Sequence, residues 1–282
     1  MRSKKRAATL LLFSLALFAA CGGEGEHTNM LGSLSNAIGL GDAPPLPAEV
    51  IDIVIDASDG SPACVATVRG TLDIVLPYVA ARPGSELRLW ALGVELADTR
   101  MLAAVTSSAP KRRGERARTL EADRFVATSR ALLLQAVAPI FDHPAKTQSP
   151  IAEGISRVAY SRVPTGRRRL LIVITDAREV SGIGPRRIDF ECQRVLPDAQ
   201  TWVARLHEDA ILSPGTLAHT DVHFAFVALA AIPKRGCPVT LARARRVEEL
   251  WRAALMAAGA TSIAFTTDAP QIDVPTEGGG GA

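Results

Sequence analysis

The sequence has few aromatic residues, and its four cysteines include no closely spaced pair. Phe, Trp and Tyr make up 5% of the 282 residues, so the core is expected to consist mainly of Leu, Ile, Val and Ala. No Cys-x-x-Cys occurs, which argues against a zinc site. The five histidines also show no spacing typical of metal ligands.

Motifs of several enzyme classes are missing as well. No Gly-x-Gly-x-x-Gly follows a strand-like segment, because Gly182-Ile183-Gly184 lacks the third glycine. The chain has no phosphate loop, no His-Glu-x-x-His and no Gly-x-Ser-x-Gly. We therefore expect a protein that is not an enzyme, although Asp56 and Asp176 could in principle support metal-assisted hydrolysis.

Neither sign of charge is in excess once the first residues are set aside. The whole chain carries 32 Lys and Arg against 29 Asp and Glu, a formal charge of +3. Four basic residues fall within the first six positions, and the other 28 face 29 acids, a net charge near −1. We expect no nucleic-acid partner. The most basic stretch, residues 111–118, is interpreted as a solvated loop, with contact to anionic lipid as the alternative.

The first residues form a targeting segment. A basic start precedes an apolar run at residues 7–20, which is too short for a comfortable membrane span of about 20 residues. Phe18-Ala19-Ala20-Cys21 resembles a bacterial lipobox, in which the cysteine is acylated and becomes the mature N-terminus. We therefore expect a signal peptide at residues 1–20 and attachment to the membrane through a lipid on Cys21.

Two alternatives to the lipid anchor remain open. One is an ordinary secretory signal cleaved near Ala20, which would leave Cys21 unmodified, and the other is a retained membrane span. Gly22 after the cysteine resembles the outer-membrane sorting pattern of some Gram-negative bacteria. The expected location is the bacterial cell envelope, at the outer membrane.

Composition divides the rest of the chain into a tether, one domain and a tail. Residues 21–48 are expected to form a flexible tether, residues 49–268 one domain, and the Gly-rich residues 269–282 a disordered tail. Within the domain, short apolar segments alternate with amphipathic ones. This alternation predicts an α/β fold: a doubly wound, mostly parallel central sheet with helices on both faces.

Several segments predict individual elements clearly. Residues 50–56 and 169–176 are apolar runs that end in an acid, as is typical of buried parallel strands. Ser61-Pro62 and Ser149-Pro150 predict helix starts with a serine N-cap. Gly259 is the expected end of a helix that begins near Leu241.

Carboxylates and hydroxyls gather at the carboxyl ends of the predicted strands. Ligands of such sheets bind beyond those ends. A set of oxygen ligands with few carboxylates suits Mg²⁺, which keeps several waters. The alternative is that the serines only cap helices and the aspartates accept backbone hydrogen bonds. The candidate metal ligands are Asp56, Ser58, Ser61, Ser149 and Asp176, with Mg²⁺ as the candidate cofactor.

The order of these segments resembles the von Willebrand factor type A domain and its metal-ion-dependent adhesion site. Asp56-Ala57-Ser58 matches the start of the family's Asp-x-Ser-x-Ser loop. Gly60 stands where the second serine belongs, and Ser61 comes one residue late. Residues 149–154 resemble the second loop, with Ser149 in place of threonine.

The third element of the resemblance is residues 172–176, which end in Asp176, with Ala177 in place of the usual glycine. The alternation of elements fits the family over residues 49–268. The resemblance implies the doubly wound fold, a degenerate magnesium-dependent adhesion site and a protein ligand.

Export would place the remaining cysteines in an oxidising compartment, where one disulfide and one spare thiol are expected. On the inferred topology Cys192 and Cys237 follow neighbouring strands, so this pair is favoured. Cys64 is the alternative partner.

Three functions are consistent with these features. The leading hypothesis is a lipid-anchored, extracytoplasmic protein-binding module for adhesion or assembly, with a degenerate Mg²⁺-dependent site. The second is a metal-free structural scaffold of the cell envelope with the same fold. The third is a metal-dependent hydrolase, for which the sequence shows neither a paired general base nor a nucleophile.

Overall fold

The computed structural model describes residues 46–56, 58, 61–93, 98–111, 114–142, 148–182, 187–226, 240–270 and 272. The expected signal peptide, Cys21, the tether as far as residue 45, Cys237 and the tail beyond residue 272 lie outside these ranges.

One six-stranded sheet forms the centre of the described domain. Its strands stand in the order β3-β2-β1-β4-β7-β8, and all neighbours are parallel except β2 and β3. A separate antiparallel pair, β5 and β6, lies after β4. The predicted doubly wound, mostly parallel sheet is confirmed. The bounds are β1 Val50–Ile55, β2 Glu86–Ala91, β3 Arg100–Thr106, β4 Arg169–Ile174, β5 Val180–Ser181, β6 Ile188–Asp189, β7 Thr220–Ala225 and β8 Ser262–Phe265.

Five helices cover the two faces of this sheet, and each face has its own apolar core. One core packs the buried side of α1 and part of α2 against Ile51, Ile53 and Ile172. The other packs α3, α4 and α5 against Val54 and Val173. The central strands are buried on both faces, which is why they are apolar throughout. The bounds are α1 Pro62–Ala80, α2 Glu115–Asp142, α3 Ile151–Ala159, α4 Ala199–Glu208 and α5 Leu241–Ala257.

Two helices extend beyond what the local sequence predicts, since Pro77 is expected to bend or end the first helix and residues 111–118 are expected to form a loop. Helix α1 continues through Pro77 to Ala80, because the buried Val75, Leu76 and Val79 anchor its last turn and outweigh one lost backbone hydrogen bond. Helix α2 begins at Glu115, so the end of the expected charged loop forms its first turn. Gly259, at φ +93°, follows α5 as predicted.

By length and composition alone, α1 and α2 are long and apolar enough to cross a membrane. Half of the apolar window of α1 is buried inside the domain, which is the behaviour of a core helix. Helix α2 buries one face, including Leu133 and Val137.

A buried ion pair joins the two central strands. The fully buried Asp52 of β1 lies with its Oδ2 3.1 Å from Nε of Arg169, the first residue of β4. Trp90 of β2 donates from Nε1 to Asp52 Oδ1 at 2.8 Å. Burial raises the pKa of the Asp52 carboxyl, and the Arg169 guanidinium opposes that rise.

Arg169 also holds the carboxyl end of α3. Its Nη1 donates to the carbonyl oxygen of Ala159 at 2.7 Å, and its Nη2 donates to the carbonyl oxygen of Ser161 at 2.7 Å. The last carbonyls of a helix lack partners within the helix, and a cation is favourable there. One guanidinium therefore connects β1, β4 and the end of a short helix.

We predict that Arg169→Met lowers the free energy of unfolding by about 3–5 kcal/mol, because Asp52 stays buried without its cation. Urea denaturation measures this change. The neighbouring Arg168→Met serves as the control: its ion pair with Asp221 is exposed, so we expect a loss of less than about 1 kcal/mol. Equal losses in the two variants would contradict the proposed role of Arg169.

Candidate functional site

The carboxyl edge of the sheet brings the ends of β1 and β4 together. Asp56 follows β1, is 3% exposed and donates its backbone N–H to the carbonyl oxygen of Ile174 at 2.9 Å. Asp176 follows β4 two residues later, with a side chain that is 8% exposed. Because β1 and β4 are parallel and in register, the two aspartates that follow them both lie at this edge, as predicted.

Three donors converge on the carboxylate of Asp56. The backbone N–H of Ser58 donates to Oδ1 at 3.0 Å, and the hydroxyl of Ser149 donates to Oδ1 at 3.4 Å. The hydroxyl of Thr175 donates to Oδ2 at 3.0 Å. Charge-assisted bonds of this kind fix a carboxylate in place. The first and second loops therefore meet, as the sequence suggested, and Thr175 is an additional partner.

The two serines that precede prolines play different roles. Ser61 is the N-cap of α1, and its hydroxyl accepts the backbone N–H of Cys64 at 3.1 Å, which confirms the capping interpretation there. Ser149 is not a cap, so that interpretation was wrong: the N-cap of α3 is Pro150, with no side-chain bond. Ser149 instead pairs with Val180 through two backbone bonds of 2.8 and 3.1 Å, which turns its hydroxyl toward Asp56.

The loop after β4 places a cation beside Asp176. The backbone N–H of Arg178 donates to Asp176 Oδ1 at 3.0 Å, and its Nε lies 3.8 Å from Oδ2. Between them Ala177 has φ +63°, in the left-handed region that favours glycine. The carbonyl of Ala177 accepts the indole N–H of Trp251 at 2.9 Å, so α5 holds this strained turn in place.

Glu179 is buried beneath the same loop, at 1% exposure. Its Oε2 accepts the backbone N–H of Ala152 in the first turn of α3 at 3.0 Å, and it is also hydrogen-bonded to the hydroxyl of Ser181. Burial raises the pKa of Glu179 to about 8, and the charge of Glu153 adds to this rise. Glu179 thus ties the third loop to the start of α3.

The cysteines divide between the core and the surface loops. Cys64 is a buried thiol, with its Sγ 3.8 Å from the backbone oxygen of Asp56. Cys192 follows β6 and donates its backbone N–H to Asp189 Oδ1 at 2.7 Å. Because Cys237 lies outside the described ranges, the pairing of Cys192 with Cys237 stays a prediction.

Two features of this edge oppose the binding of a divalent cation. Asp56 and Ser149 do meet, but both oxygens of the Asp56 carboxylate already accept hydrogen bonds from the chain. Asp176 lies beside the guanidinium of Arg178, whose charge opposes a second cation at the same carboxylate. Across the described part of the chain, no group of three or more His, Cys, Asp or Glu could hold a metal. The magnesium hypothesis therefore stays a prediction, which calorimetry can decide.

Sequence reasoning missed Thr175, Arg178 and Glu179, which the structure places around Asp56, Asp176 and α3. All three belong to the run that follows β4. The available signal was their position, since residues at the carboxyl end of a central strand face the usual ligand side of the sheet. Their side-chain directions depend on the turn at Ala177, which no local pattern predicts.

No protein-family model and no curated protein matches the sequence. Among solved structures, the pilus adhesin SpaC from Lactobacillus rhamnosus GG in its open conformation has a TM-score of 0.45 and 11% identity. The match covers 80% of this chain and 29% of SpaC, so this chain spans about a third of that adhesin.

Two further solved structures are similar. An aerotolerance-related membrane protein from Bacteroides fragilis NCTC 9343 has a TM-score of 0.39 and 13% identity, over 78% of this chain and 92% of that one. A von Willebrand factor type A structure from Catenulispora acidiphila has a TM-score of 0.33 and 12% identity, over 64% and 32%. The strand order β3-β2-β1-β4-β7-β8 itself agrees with the predicted doubly wound fold.

We predict that Glu179→Gln changes how stability depends on pH. The folded pKa of about 8 lies above the ordinary 4.5, so between these values the unfolded chain ionises while the folded chain stays neutral. The native chain therefore loses stability as the pH rises through this window, by on the order of a few kcal/mol. Glutamine cannot ionise, so the variant should not lose this stability as the pH rises.

Urea denaturation at pH 5 and pH 8 measures this difference. The matched control is Glu249→Gln, at a side chain that is 63% exposed, which should follow the native pH profile. If Glu179→Gln shows the native profile too, Glu179 is ionised in the folded chain and the argument fails.

Proposed function

We propose that the chain is a binding module of the bacterial cell envelope, anchored by a lipid on Cys21, that engages a protein partner at the carboxyl edge of its sheet. The observation that carries this proposal is the meeting of three loops around Asp56, with Ser149 and Thr175 bonded to its carboxylate. The lipobox-like residues 18–21 support export and anchoring.

The chemistry of the edge favours binding over catalysis. Asp56 is held by three donors, Asp176 is next to a cation, and the thiol of Cys64 is buried. His223, on β7, has its Nε2 3.0 Å from the hydroxyl of Thr266, and burial lowers its pKa. Fixed, internally paired groups of this kind suit recognition of a partner better than proton transfer.

The proposal has two forms, which differ in the role of metal. In one, Asp56, Ser58, Ser149 and Asp176 hold Mg²⁺, which would supply an open coordination position for a carboxylate of the partner. In the other, the edge works without metal, as a binding surface or a structural scaffold. The internal hydrogen bonds of Asp56 and the nearness of Arg178 to Asp176 favour the metal-free form.

We also propose that Cys192 and Cys237 form a disulfide that ties the loop after β6 to the segment before α5. Export to an oxidising compartment supports this pairing. Cys64, the alternative partner, keeps its thiol in the core.

Photo-crosslinking in cells tests the location of the partner site. A photoreactive amino acid at Ala63, exposed in the first turn of α1 near Asp56, should capture a discrete partner species. The control position is Thr165, exposed in the turn that precedes β4 at the opposite edge. We expect capture from Ala63 and not from Thr165, with a loss of most of the product in an Asp56→Ala background. Equal capture from both edges would contradict the proposed surface.

Fractionation tests the anchor. Cys21→Ser should move the chain from the membrane fraction to the soluble fraction and remove the acyl mass from its N-terminal peptide, because each buried methylene contributes about 0.8 kcal/mol to membrane attachment. Cys64→Ser is the matched control, since Cys64 lies in the core, and it should stay in the membrane fraction. A Cys21→Ser chain that keeps its membrane attachment would point to a retained span instead.

A further inference from the structure

We propose that Arg178 is the built-in cation of the carboxyl edge: its guanidinium takes the electrostatic place of a divalent metal and binds an acidic group of the partner. The statement about metal concerns this chain alone. The statement about the acidic group rests on the proposed function.

The position of Arg178 carries the first step. Its backbone N–H bonds to Asp176 Oδ1 at 3.0 Å, while its Nε lies 3.8 Å from Oδ2 of the same carboxylate. One residue therefore approaches both oxygens of Asp176, one of the two aspartates that the sequence pattern assigned to the metal. Both side chains are 8% exposed, so their attraction is screened less than at the surface.

The second step is the unused bonding capacity of this guanidinium. In the described residues, Arg178 forms no side-chain hydrogen bond, and its one charged contact is the 3.8 Å approach to Asp176. Other buried arginines donate to carbonyl oxygens: Arg82 to Tyr78 at 3.1 Å and Arg169 to Ala159 at 2.7 Å. The Arg178 side chain keeps 8% exposure, so a ligand can reach the donors that Asp176 does not use.

The surroundings make the edge unfavourable for a free metal ion. Arg243, in the first turn of α5, donates from Nε and Nη2 to the carbonyl oxygen of Phe190 at 3.1 and 2.8 Å. Burial lowers the pKa of Arg243, the charge of Asp189 opposes this lowering, and the charge of Arg178 adds to it, so Arg178 and Arg243 are within electrostatic range. Two fixed positive charges repel a divalent cation.

The ligand class follows from the chemistry of arginine. A guanidinium presents a planar set of donors that matches a carboxylate with two parallel hydrogen bonds. The N–H groups that Asp176 does not use would therefore donate to a carboxylate of an Asp or Glu of the partner. A metal-bound adhesion site would bind the same carboxylate through an open coordination position. Arg178 would therefore bind the same class of ligand with a different cation.

Calorimetric titration of Mn²⁺ and Mg²⁺ into the full chain, purified in detergent, tests the statement about metal. We expect no saturable binding to the native chain up to about 1 mM metal, the weak end for extracellular sites. Arg178→Gln should bind Mn²⁺ at least about tenfold more tightly than the native chain, because Asp176 loses its counter-charge. Arg178→Lys keeps the charge and should remain without binding.

Two further variants make the result specific. Asp176→Asn combined with Arg178→Gln removes both charges, so it should fold even where Arg178→Gln does not, and it should not bind Mn²⁺. Arg130→Gln, which breaks an exposed ion pair with Asp73 on α1, is the matched control and should behave as the native chain. Saturable metal binding by the native chain that is lost in Asp56→Ala would overturn the proposal, and so would an Arg178→Gln chain that folds but gains no metal affinity.

Crosslinking from Ala63 tests the statement about the partner. Capture should persist in excess EDTA and fall at least about tenfold in Arg178→Lys, whose ammonium keeps the charge without the planar pair of donors. Capture that EDTA abolishes would overturn the metal-free ligand site. Capture from Thr165 and not from Ala63 would refute the proposed function itself and leave the calorimetric result standing.

Discussion

The attachment of α3 to the sheet is the constraint on which the candidate site depends. This helix has nine residues, too few to be stable by itself. Arg169 binds the carbonyls at its carboxyl end while paired with Asp52 in β1. Glu179 accepts a backbone N–H at its amino end. Both anchors come from the β4 segment, so one strand and its following loop fix the helix at both ends.

This arrangement also sets the geometry of the carboxyl edge. The loop that carries Asp176 and Arg178 continues into Glu179 and then into Val180, which pairs with Ser149. Ser149 in turn reaches Asp56. The three loops are therefore connected through backbone and buried side-chain bonds, which fix their positions relative to one another. Preorganised sites lose less entropy when they bind.

Periodicity and turn signals predicted the fold well because they report burial directly. The runs at β1 and β4, Gly259 after α5 and the Ser61 cap were all read correctly from local sequence. The role of Ser149 was not, because a serine before proline looks like a cap, and its pairing with Val180 involves residues far apart in the chain. The same holds for Arg178, whose meaning depends on the left-handed turn at Ala177.

The place where the chain enters the sheet has a mechanical consequence. Residues 46–49 lead straight into β1, which has parallel neighbours on both sides, β2 and β4. Glu49 is fastened there by the hydroxyl of Tyr78 at 2.6 Å and by the hydroxyl of Ser85, which accepts its backbone N–H at 2.9 Å. A pulling force on residue 46 along the strand would load two rows of backbone hydrogen bonds in shear, so that many must break together rather than one after another. The domain would therefore resist tension applied through residue 46.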